Sequence, residues 1–229
     1  MLDLQGVSAG YGGQTVLRDV DLVVPDKSVV ALLGPNGAGK STTLKVAAGL
    51  LRPTAGRVVL DGADATEWSA YERASGGVCY IPEGRGIFRE LSVRDNLKLQ
   101  APPGMNGEAV DRATEAFPVL GQRLDQRAGT LSGGEQQMLA LAHAWLSSPK
   151  LVLVDEVSLG LAPKLVDQIF EYLHQITTQG VALLLVEQYV SRALDMADYV
   201  YILKKGRIQL VAEPAQLNDE DILASYLGV

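Results

Sequence analysis

The chain has 229 residues, 47% of them hydrophobic, and a formal net charge of −7 at pH 7. This length is enough for one large domain or two small ones with a sizeable apolar core. The acidic balance, without a cluster of lysines and arginines, argues against a nucleic-acid-binding protein, which needs a cationic face for phosphate backbones. The longest apolar runs, such as residues 181–186, are far shorter than a bilayer span, so we expect any membrane contact to go through a partner.

The single cysteine, Cys79, lies in an apolar run and is predicted to be a buried, reduced thiol. The N-terminal residues 1–5 contain neither a basic leader nor a long apolar stretch, so we find no secretory signal there. Both observations favour the cytoplasm.

At the front of the chain, two runs of alternating polar and apolar residues flank Tyr11, Gly12 and Gly13. Such a pattern predicts an antiparallel hairpin. Further along, short β-branched runs are each followed by a helix-period segment, and the runs are residues 29–33, 151–154 and 181–186. This alternation predicts an α/β fold with a mostly parallel sheet.

Between about residues 84 and 148 the strand signals stop and the apolar spacing becomes helical. We therefore expect a single domain in which residues 1–83 and 149–229 form the α/β core. Residues 84–148 would form a helical subdomain inserted into that core.

A glycine-rich segment, residues 34–42, fits the pattern G-x-x-x-x-G-K-[ST] of a phosphate-binding loop. It follows one predicted strand and opens a helix, which is the context that this loop requires. Lys40 would reach the β and γ phosphates of a nucleotide, and the Ser41 hydroxyl would bind Mg²⁺. The plain alternative is a glycine-rich turn that enters a helix. The candidate nucleotide-binding residues of this segment are Gly34, Asn36, Gly37, Ala38, Gly39, Lys40, Ser41 and Thr42.

Asp155 and Glu156 end the predicted strand at 151–154, at the sheet edge where ligands bind in such folds. We expect Asp155 to hold Mg²⁺ and Glu156 to polarise the water that attacks the γ phosphate. The alternative is that both acids are only the solvated end of a buried strand.

Residues 131–137 read Leu-Ser-Gly-Gly-Glu-Gln-Gln. Ser132 and Glu135 are spaced as a capping box at the start of a helix. The same geometry exposes backbone N–H groups and the Ser132 hydroxyl, so Ser132, Gly133 and Gly134 also form a candidate anion site. The segment can be a helix cap and an anion site at the same time.

This order of a phosphate loop, an LSGGEQQ segment and an acidic strand end resembles that of ABC ATPases over essentially the whole chain. The resemblance implies a P-loop NTPase core with ATP and Mg²⁺ as cofactors, and two subunits that enclose two nucleotides. The LSGGEQQ helix of one subunit would then close over the ATP of the other. In the same family Tyr11 matches the aromatic residue that stacks on adenine, and residues 158–163 match the loop that crosses the dimer interface.

Three positions depart from the commonest pattern of this family. Glu83 stands where a glutamine is usual and would bind Mg²⁺ and act at the catalytic site. Gln188 stands at the position of the switch histidine, and Val157 replaces a proline. The segments Pro82–Arg85, 186–188 and 158–163 resemble the ATPases of branched-chain (hydrophobic) amino-acid importers.

That subgroup implies four properties: a place on the inner face of the membrane, separate permease subunits, a second ABC ATPase subunit, and an extracytoplasmic solute-binding protein as an indirect partner. Alternatives are another solute class such as urea or amides, a soluble ABC protein of DNA repair or translation, and a catalytically inactive module. Long coiled-coil insertions or a second cassette would indicate the soluble classes, and neither is present. An inactive module should lack Lys40, Asp155 or Glu156, yet all three are present.

Overall fold

The computed structural model describes residues 1–84, 86–102, 104–105 and 107–217. Within these residues the strands are β1 (Leu2–Tyr11), β2 (Gln14–Val24), β3 (Val29–Leu33), β4 (Ala55–Leu60), β5 (Ala63–Asp64), β6 (Val78–Ile81), β7 (Leu151–Asp155), β8 (Ala182–Val186), β9 (Tyr199–Lys204) and β10 (Arg207–Ala212). The α-helices are α1 (Lys40–Ala47), α2 (Ala70–Ser75), α3 (Val93–Gln100), α4 (Glu108–Ala116), α5 (Pro118–Gly121), α6 (Gly133–Ser147), α7 (Pro163–Thr178) and α8 (Val190–Met196).

The larger sheet has the strand order β10-β9-β3-β8-β7-β6. All of its pairings are parallel except that of β10 with β9, which is antiparallel. Strands β3, β7 and β8 are buried along their whole length, because both faces of a parallel sheet are covered and the strands are therefore continuously apolar. The predicted α/β fold with a mostly parallel sheet is confirmed. The carboxyl ends of β3, β6, β7 and β8 consequently meet at one edge.

A second sheet, with the order β2-β1-β4-β5, is antiparallel throughout. Its first two strands form the hairpin that the sequence predicts, with Tyr11 paired to Gln14. Gly12 and Gly13 make the turn with φ angles of 55° and 82°. These left-handed values suit glycine, which has no Cβ to clash with the backbone.

The core lies on both faces of the larger sheet, and β3 shows how one strand supplies both faces. Val29, Ala31 and Leu33 pack into one apolar cluster with α6 and α7, whereas Val30 and Leu32 pack into another with α1 and the smaller sheet. Successive side chains of a strand point to opposite faces, so this apolar run serves two layers. Helix α1 is thereby held between the two sheets.

Buried Arg73 closes the far end of α1. Its side chain is 1% exposed, and the guanidinium donates hydrogen bonds to the carbonyl oxygens of Val46 (2.6 Å) and Ala47 (2.9 Å). A cation at a helix C-terminus satisfies carbonyls that have no partner in the helix and offsets the negative end of its dipole. The helix that begins at the phosphate loop is therefore fixed at its other end.

Between β6 and β7 the described residues contain no strand of either sheet and include helices α3 to α6. Phe117 and Leu120 of this region are fully buried in the same cluster as Val152 and Val154 of the sheet. The inserted helical subdomain is thus present and packed on the core. Its limits at residues 84 and 148 stay a prediction, and residues 218–229 of the expected second core segment lie outside the described residues.

Candidate active site

The phosphate loop connects β3 to α1, as the sequence predicts. At Gly34 the φ angle is 149°, and a Cβ there would stand 2.1 Å from the Leu203 carbonyl oxygen, so only glycine fits. Helix α1 begins after Gly39, which has φ of 114°, and no side chain caps its first N–H groups. Uncapped N–H groups at a helix start attract anions, because they carry the positive end of the helix dipole. The start of α1 therefore offers unpaired N–H groups of the kind that bind phosphate in other proteins.

Lys40 lies folded over this loop, with its side chain 6% exposed. Its ammonium donates hydrogen bonds to the carbonyl oxygens of Gly34 (2.9 Å) and Pro35 (3.2 Å). The Nζ atom also stands 3.8 Å from Oε1 of Glu156. Burial lowers the pKa of Lys40, and the nearby carboxylates of Glu156 and Asp155 oppose that shift. The ammonium is thus held over the loop by two backbone carbonyl oxygens and lies near the Glu156 carboxylate.

Asp155 ends β7 with its side chain almost fully buried. Its Oδ1 atom accepts a hydrogen bond from the Ser41 hydroxyl (2.9 Å), and Oδ2 accepts one from the Tyr80 hydroxyl (3.1 Å). Burial raises the pKa of Asp155, while these two hydrogen bonds lower it. Sequence reasoning missed Tyr80, which reaches Asp155 because β6 lies beside β7 with Tyr80 opposite Leu153.

Glu156 turns away from the strand that precedes it. Its φ angle of 47° is unusual for a residue with a side chain, and its N–H donates to the Val186 carbonyl oxygen (2.9 Å). The Oε2 atom accepts a hydrogen bond from the side-chain amide of Gln188 (2.8 Å). The structure therefore brings the two residues together at neighbouring strand ends.

A cavity of about 540 Å³ opens at this edge of the sheet. Its described lining consists of Val16, Asn36, Gly37, Gly39, Lys40, Ser41, Thr42, Glu83, Glu156, Leu159 and Gln188. Most of the candidate residues at the four strand ends are thus gathered around one space. Gly34, Ala38 and Asp155 are neighbours of lining residues but do not line the cavity themselves.

Tyr11 and the LSGGEQQ segment lie apart from this cavity. The Tyr11 ring is 47% exposed, and the ammonium of Lys45 stands 6.0 Å from its centroid. Ser132 forms the expected capping box: its hydroxyl accepts from the Glu135 N–H (3.3 Å), and the Glu135 carboxylate accepts from the Ser132 N–H (2.8 Å). Gly133 and Gly134 follow at the start of α6. None of Ser132, Gly133 and Gly134 is among the described residues that line the cavity.

The residues around Asp155 offer oxygen ligands of the kind that Mg²⁺ prefers. In the described parts of the chain, no group of three or more His, Cys, Asp and Glu side chains could hold a metal by itself. Mg²⁺ bound with a nucleotide needs no such group, because phosphate oxygens and water complete its shell. The Ser41 hydroxyl, the buried Asp155 carboxylate and Glu83 in the same cavity fit that role.

Across residues 1–84, 86–102, 104–105 and 107–217, every helix is too short or too polar to cross a membrane.

A sequence model of the family described as "ABC transporter" matches residues 17–158. The chain is similar to the high-affinity branched-chain amino acid transport ATP-binding protein BraG of Pseudomonas aeruginosa, with 40% identity over the full length of both chains. It is 39% identical to a probable branched-chain amino acid transport ATP-binding protein, LivF, of Archaeoglobus fulgidus, over 91% of this chain and 90% of that one.

The chain is also similar to an ATP-binding protein of a different transport system and to a solved structure. The lipopolysaccharide export system ATP-binding protein LptB of Haemophilus influenzae is 34% identical over all of this chain and 97% of its own. A solved ATP-binding subunit of an ABC transporter is 31% identical, covers 93% of this chain and 90% of its own, and superposes with a TM-score of 0.83. The sheet order, the phosphate loop and these similarities agree: the chain belongs to the ABC transporter family and is one of its ATP-hydrolysing cassettes.

Proposed function

We propose that this chain drives the import of branched-chain or other hydrophobic amino acids, working on the cytoplasmic face of the membrane with separate permease subunits and a second ABC ATPase subunit. An extracytoplasmic solute-binding protein would deliver the solute. The observation that carries the enzymatic half of the proposal is the cavity in which Lys40, Glu156 and Gln188 meet. The names of the BraG and LivF relatives support the amino-acid half.

The phosphates of ATP would lie on the N–H groups at the start of α1, with contributions from the loop residues 36–39. Lys40 would exchange the carbonyl oxygens of Gly34 and Pro35 for phosphate oxygens, which bind an ammonium more strongly because they are charged. Tyr11 is exposed and free to stack on an adenine. Mg²⁺ would be held by Ser41, Asp155 and Glu83, and it supplies positive charge to the phosphates.

Hydrolysis requires a water molecule aimed at the γ phosphate. Glu156 borders the cavity next to Lys40, so its carboxylate is placed to accept a proton from that water and to orient it. Gln188 holds the other oxygen of Glu156 and still has an amide oxygen that can accept from water. The two residues would act as a pair, with Glu156 as the base and Gln188 as the residue that aligns it.

The site of one chain would be completed by another. Ser132, Gly133 and Gly134 begin a capped helix outside the cavity, and Ser132 is exposed. A second ATPase subunit could place its equivalent helix start over the γ phosphate and add N–H donors there. This arrangement gives the LSGGEQQ segment a role that the chain cannot fill within its own site.

A second candidate is export, because LptB also matches over the full length of the chain. The higher identities to BraG and LivF favour amino-acid import. Import of urea or amides and a soluble, non-transport role remain alternatives of lower rank for the same reason.

The test is transport by the complex that co-purifies with this chain from its native membrane. The complex is reconstituted in proteoliposomes with its solute-binding protein, and uptake of radiolabelled leucine is compared with that of urea. ATP-dependent leucine uptake that is lost in Lys40→Ala supports the proposal. Uptake of urea without leucine, extraction of lipopolysaccharide, or the absence of any co-purifying membrane subunit contradicts it.

A further inference from the structure

Glu187 is a buried acid that neither the phosphate loop nor the LSGGEQQ segment accounts for. It follows β8, its side chain is 1% exposed, and no described cation forms an ion pair with it. The carboxylate that acts on it through charge is Glu156, which would repel it. Burying an acid in this way is costly unless hydrogen bonds satisfy its oxygens.

The contacts of Glu187 join two segments of the site. Its Oε1 atom accepts a hydrogen bond from the backbone N–H of Ser158 (3.2 Å). Its Oε2 atom accepts from the Ser158 hydroxyl at short range and from the backbone N–H of Gln188 (3.2 Å). One side chain thus fixes both the first residue of the 158–163 loop and the residue that holds Glu156.

These contacts close a ring. Glu156 is two residues before Ser158, Ser158 binds Glu187, Glu187 precedes Gln188, and Gln188 donates back to Glu156. Ser158 and Gln188 are therefore linked through one side chain that is 1% exposed. Beyond Ser158, the loop side chain Leu159 is 45% exposed and borders the nucleotide cavity. The loop is accessible to a second subunit, whereas its anchor is not.

We propose that Glu187 is a positioning residue that couples the 158–163 loop to the Gln188–Glu156 pair, so that engagement of the loop by a second subunit aligns Glu156 for hydrolysis. This inference rests on the proposed function, because it assumes that Glu156 is the hydrolytic base. It assigns Glu187 no contact with nucleotide. The expected signature is a loss of turnover without a loss of ATP binding.

The replacement Glu187→Gln preserves the shape of the side chain and breaks the ring. An amide has only one acceptor oxygen, so in either orientation its NH₂ group faces a backbone N–H, of Ser158 or of Gln188, that the carboxylate had satisfied. Glu171→Gln is the matched control, because it makes the same chemical change at an exposed position of α7. Ser158→Ala is the second probe, because it removes the hydroxyl contact and leaves the carboxylate in place.

Each variant is measured in the assembled transporter for kcat, for KM of ATP and for affinity of a fluorescent ATP analogue. We expect Glu187→Gln to lower kcat about tenfold, since a small misplacement of a catalytic group is enough for such a loss. KM and analogue affinity should stay within about twofold of the parent, as should all values for Glu171→Gln. Ser158→Ala should lower kcat about threefold. The double variant should lose no more than Glu187→Gln alone, because both changes interrupt the same path from Ser158 through residue 187 to Gln188.

Parent-like turnover in both Glu187→Gln and Ser158→Ala overturns the inference. So does an equal loss of kcat and analogue affinity, which would mean general damage to the site. If Glu187→Gln does not fold, Ser158→Ala decides alone by the same criteria. A parent complex that does not hydrolyse ATP, or a Glu156→Gln variant with normal turnover, would instead refute the proposed function.

Discussion

The side-chain amide of Gln188 donates a hydrogen bond to Oε2 of Glu156 across 2.8 Å. The two residues follow neighbouring strands, β8 and β7, which pair in parallel up to Asp155 and Val186. Parallel strands place the residues that follow them at the same edge, so this contact is a direct product of the sheet order. An amide can donate to the carboxylate and accept from water but does not titrate near neutral pH.

Replacing Gln188 by histidine should therefore introduce a pH response that the parent site lacks. The imidazole would stand beside the Glu156 carboxylate, and an opposite charge favours the protonated form. We expect a new inflection in the rate of ATP hydrolysis somewhat above the reference value of about 6.5. The rate is measured at saturating Mg²⁺ in a complex in which only this chain's site turns over.

The exposed Gln175 on α7 serves as control, because Gln175→His adds an imidazole far from the site. It should leave the pH profile unchanged. Superimposable profiles for the parent and Gln188→His would show that position 188 does not touch the reacting groups.

If Asp155 holds Mg²⁺ as proposed, Tyr80→Phe should weaken Mg²⁺ binding without changing the proposed ligands. The Tyr80 hydroxyl orients Oδ2 of Asp155 and leaves Oδ1 toward Ser41, so its loss frees the carboxylate to rotate. Loss of such an orienting partner lowers metal affinity by about tenfold in other sites, and we expect a decrease of that order. Binding of Mn²⁺ to the ATP complex, followed by electron paramagnetic resonance, measures it directly.

The matched control is Tyr71→Phe, because Tyr71 is 80% exposed. Unchanged Mn²⁺ affinity in Tyr80→Phe would mean that the hydrogen bond to Asp155 has no part in placing the metal ligand.

The thiol of Cys79 should resist alkylation. Burial raises the pKa of Cys79 to about 12, so the neutral thiol persists when the pH rises. At pH 8 the reactive thiolate is then about a thousandfold scarcer than for a thiol with its ordinary value of 9.0. His143, whose Nδ1 stands 3.8 Å from Sγ, offers no positive charge to counter this, because burial lowers the pKa of His143 as well.

Labelling of the folded chain with a thiol-reactive dye at pH 8 should proceed over hours, whereas the chain unfolded in guanidinium should react within minutes. Equal rates in the two states would contradict the buried placement of Cys79.

The strands that frame the site could be predicted from the sequence, because local rules determine them. Residues 29–33 match β3, and β7 and β8 differ from the predicted 151–154 and 181–186 by one residue each. Continuous apolar runs bounded by glycine or acidic residues are the pattern of buried parallel strands. The capping box at Ser132 was equally local, since it depends on residues three apart.

Contacts between segments far apart in the chain could not be predicted. Tyr80 binds Asp155 only because β6 is the neighbour of β7, and strand order is not visible in a local pattern. The burial of Glu187 could not be predicted from the sequence either, because acidic residues at strand ends are mostly exposed. The contact of Arg73 with α1, between residues 27 apart in the sequence, likewise gave no local signal.

Ser132→Arg should damage the site of the partner subunit and spare the one in its own chain, if the start of α6 completes the site of a second subunit. In a mixed complex with an unlike ATPase, we expect hydrolysis at the partner's nucleotide to fall at least about hundredfold, because donors to the γ phosphate are displaced. Site-specific turnover is measured after inactivating one phosphate loop at a time.

Ser69→Arg is the control for loss of the cap alone. Ser69 and Glu72 form the same kind of capping box at the start of α2. Ser69→Arg therefore removes a comparable N-cap from a different helix. A defect limited to the chain's own nucleotide in Ser132→Arg would refute a shared site.

The most direct test of the central claim is single-turnover hydrolysis of radiolabelled ATP by Glu156→Gln, in a complex where only this chain's site is competent. The amide preserves the shape of Glu156 and its position beside Gln188 but removes the base that orients water. We expect ATP to remain bound and uncleaved, with a rate at least about hundredfold below the parent, while Glu171→Gln behaves as the parent does. Release of ADP from Glu156→Gln at the parent rate would contradict the assignment of Glu156 and, with it, the account of how this cavity hydrolyses ATP.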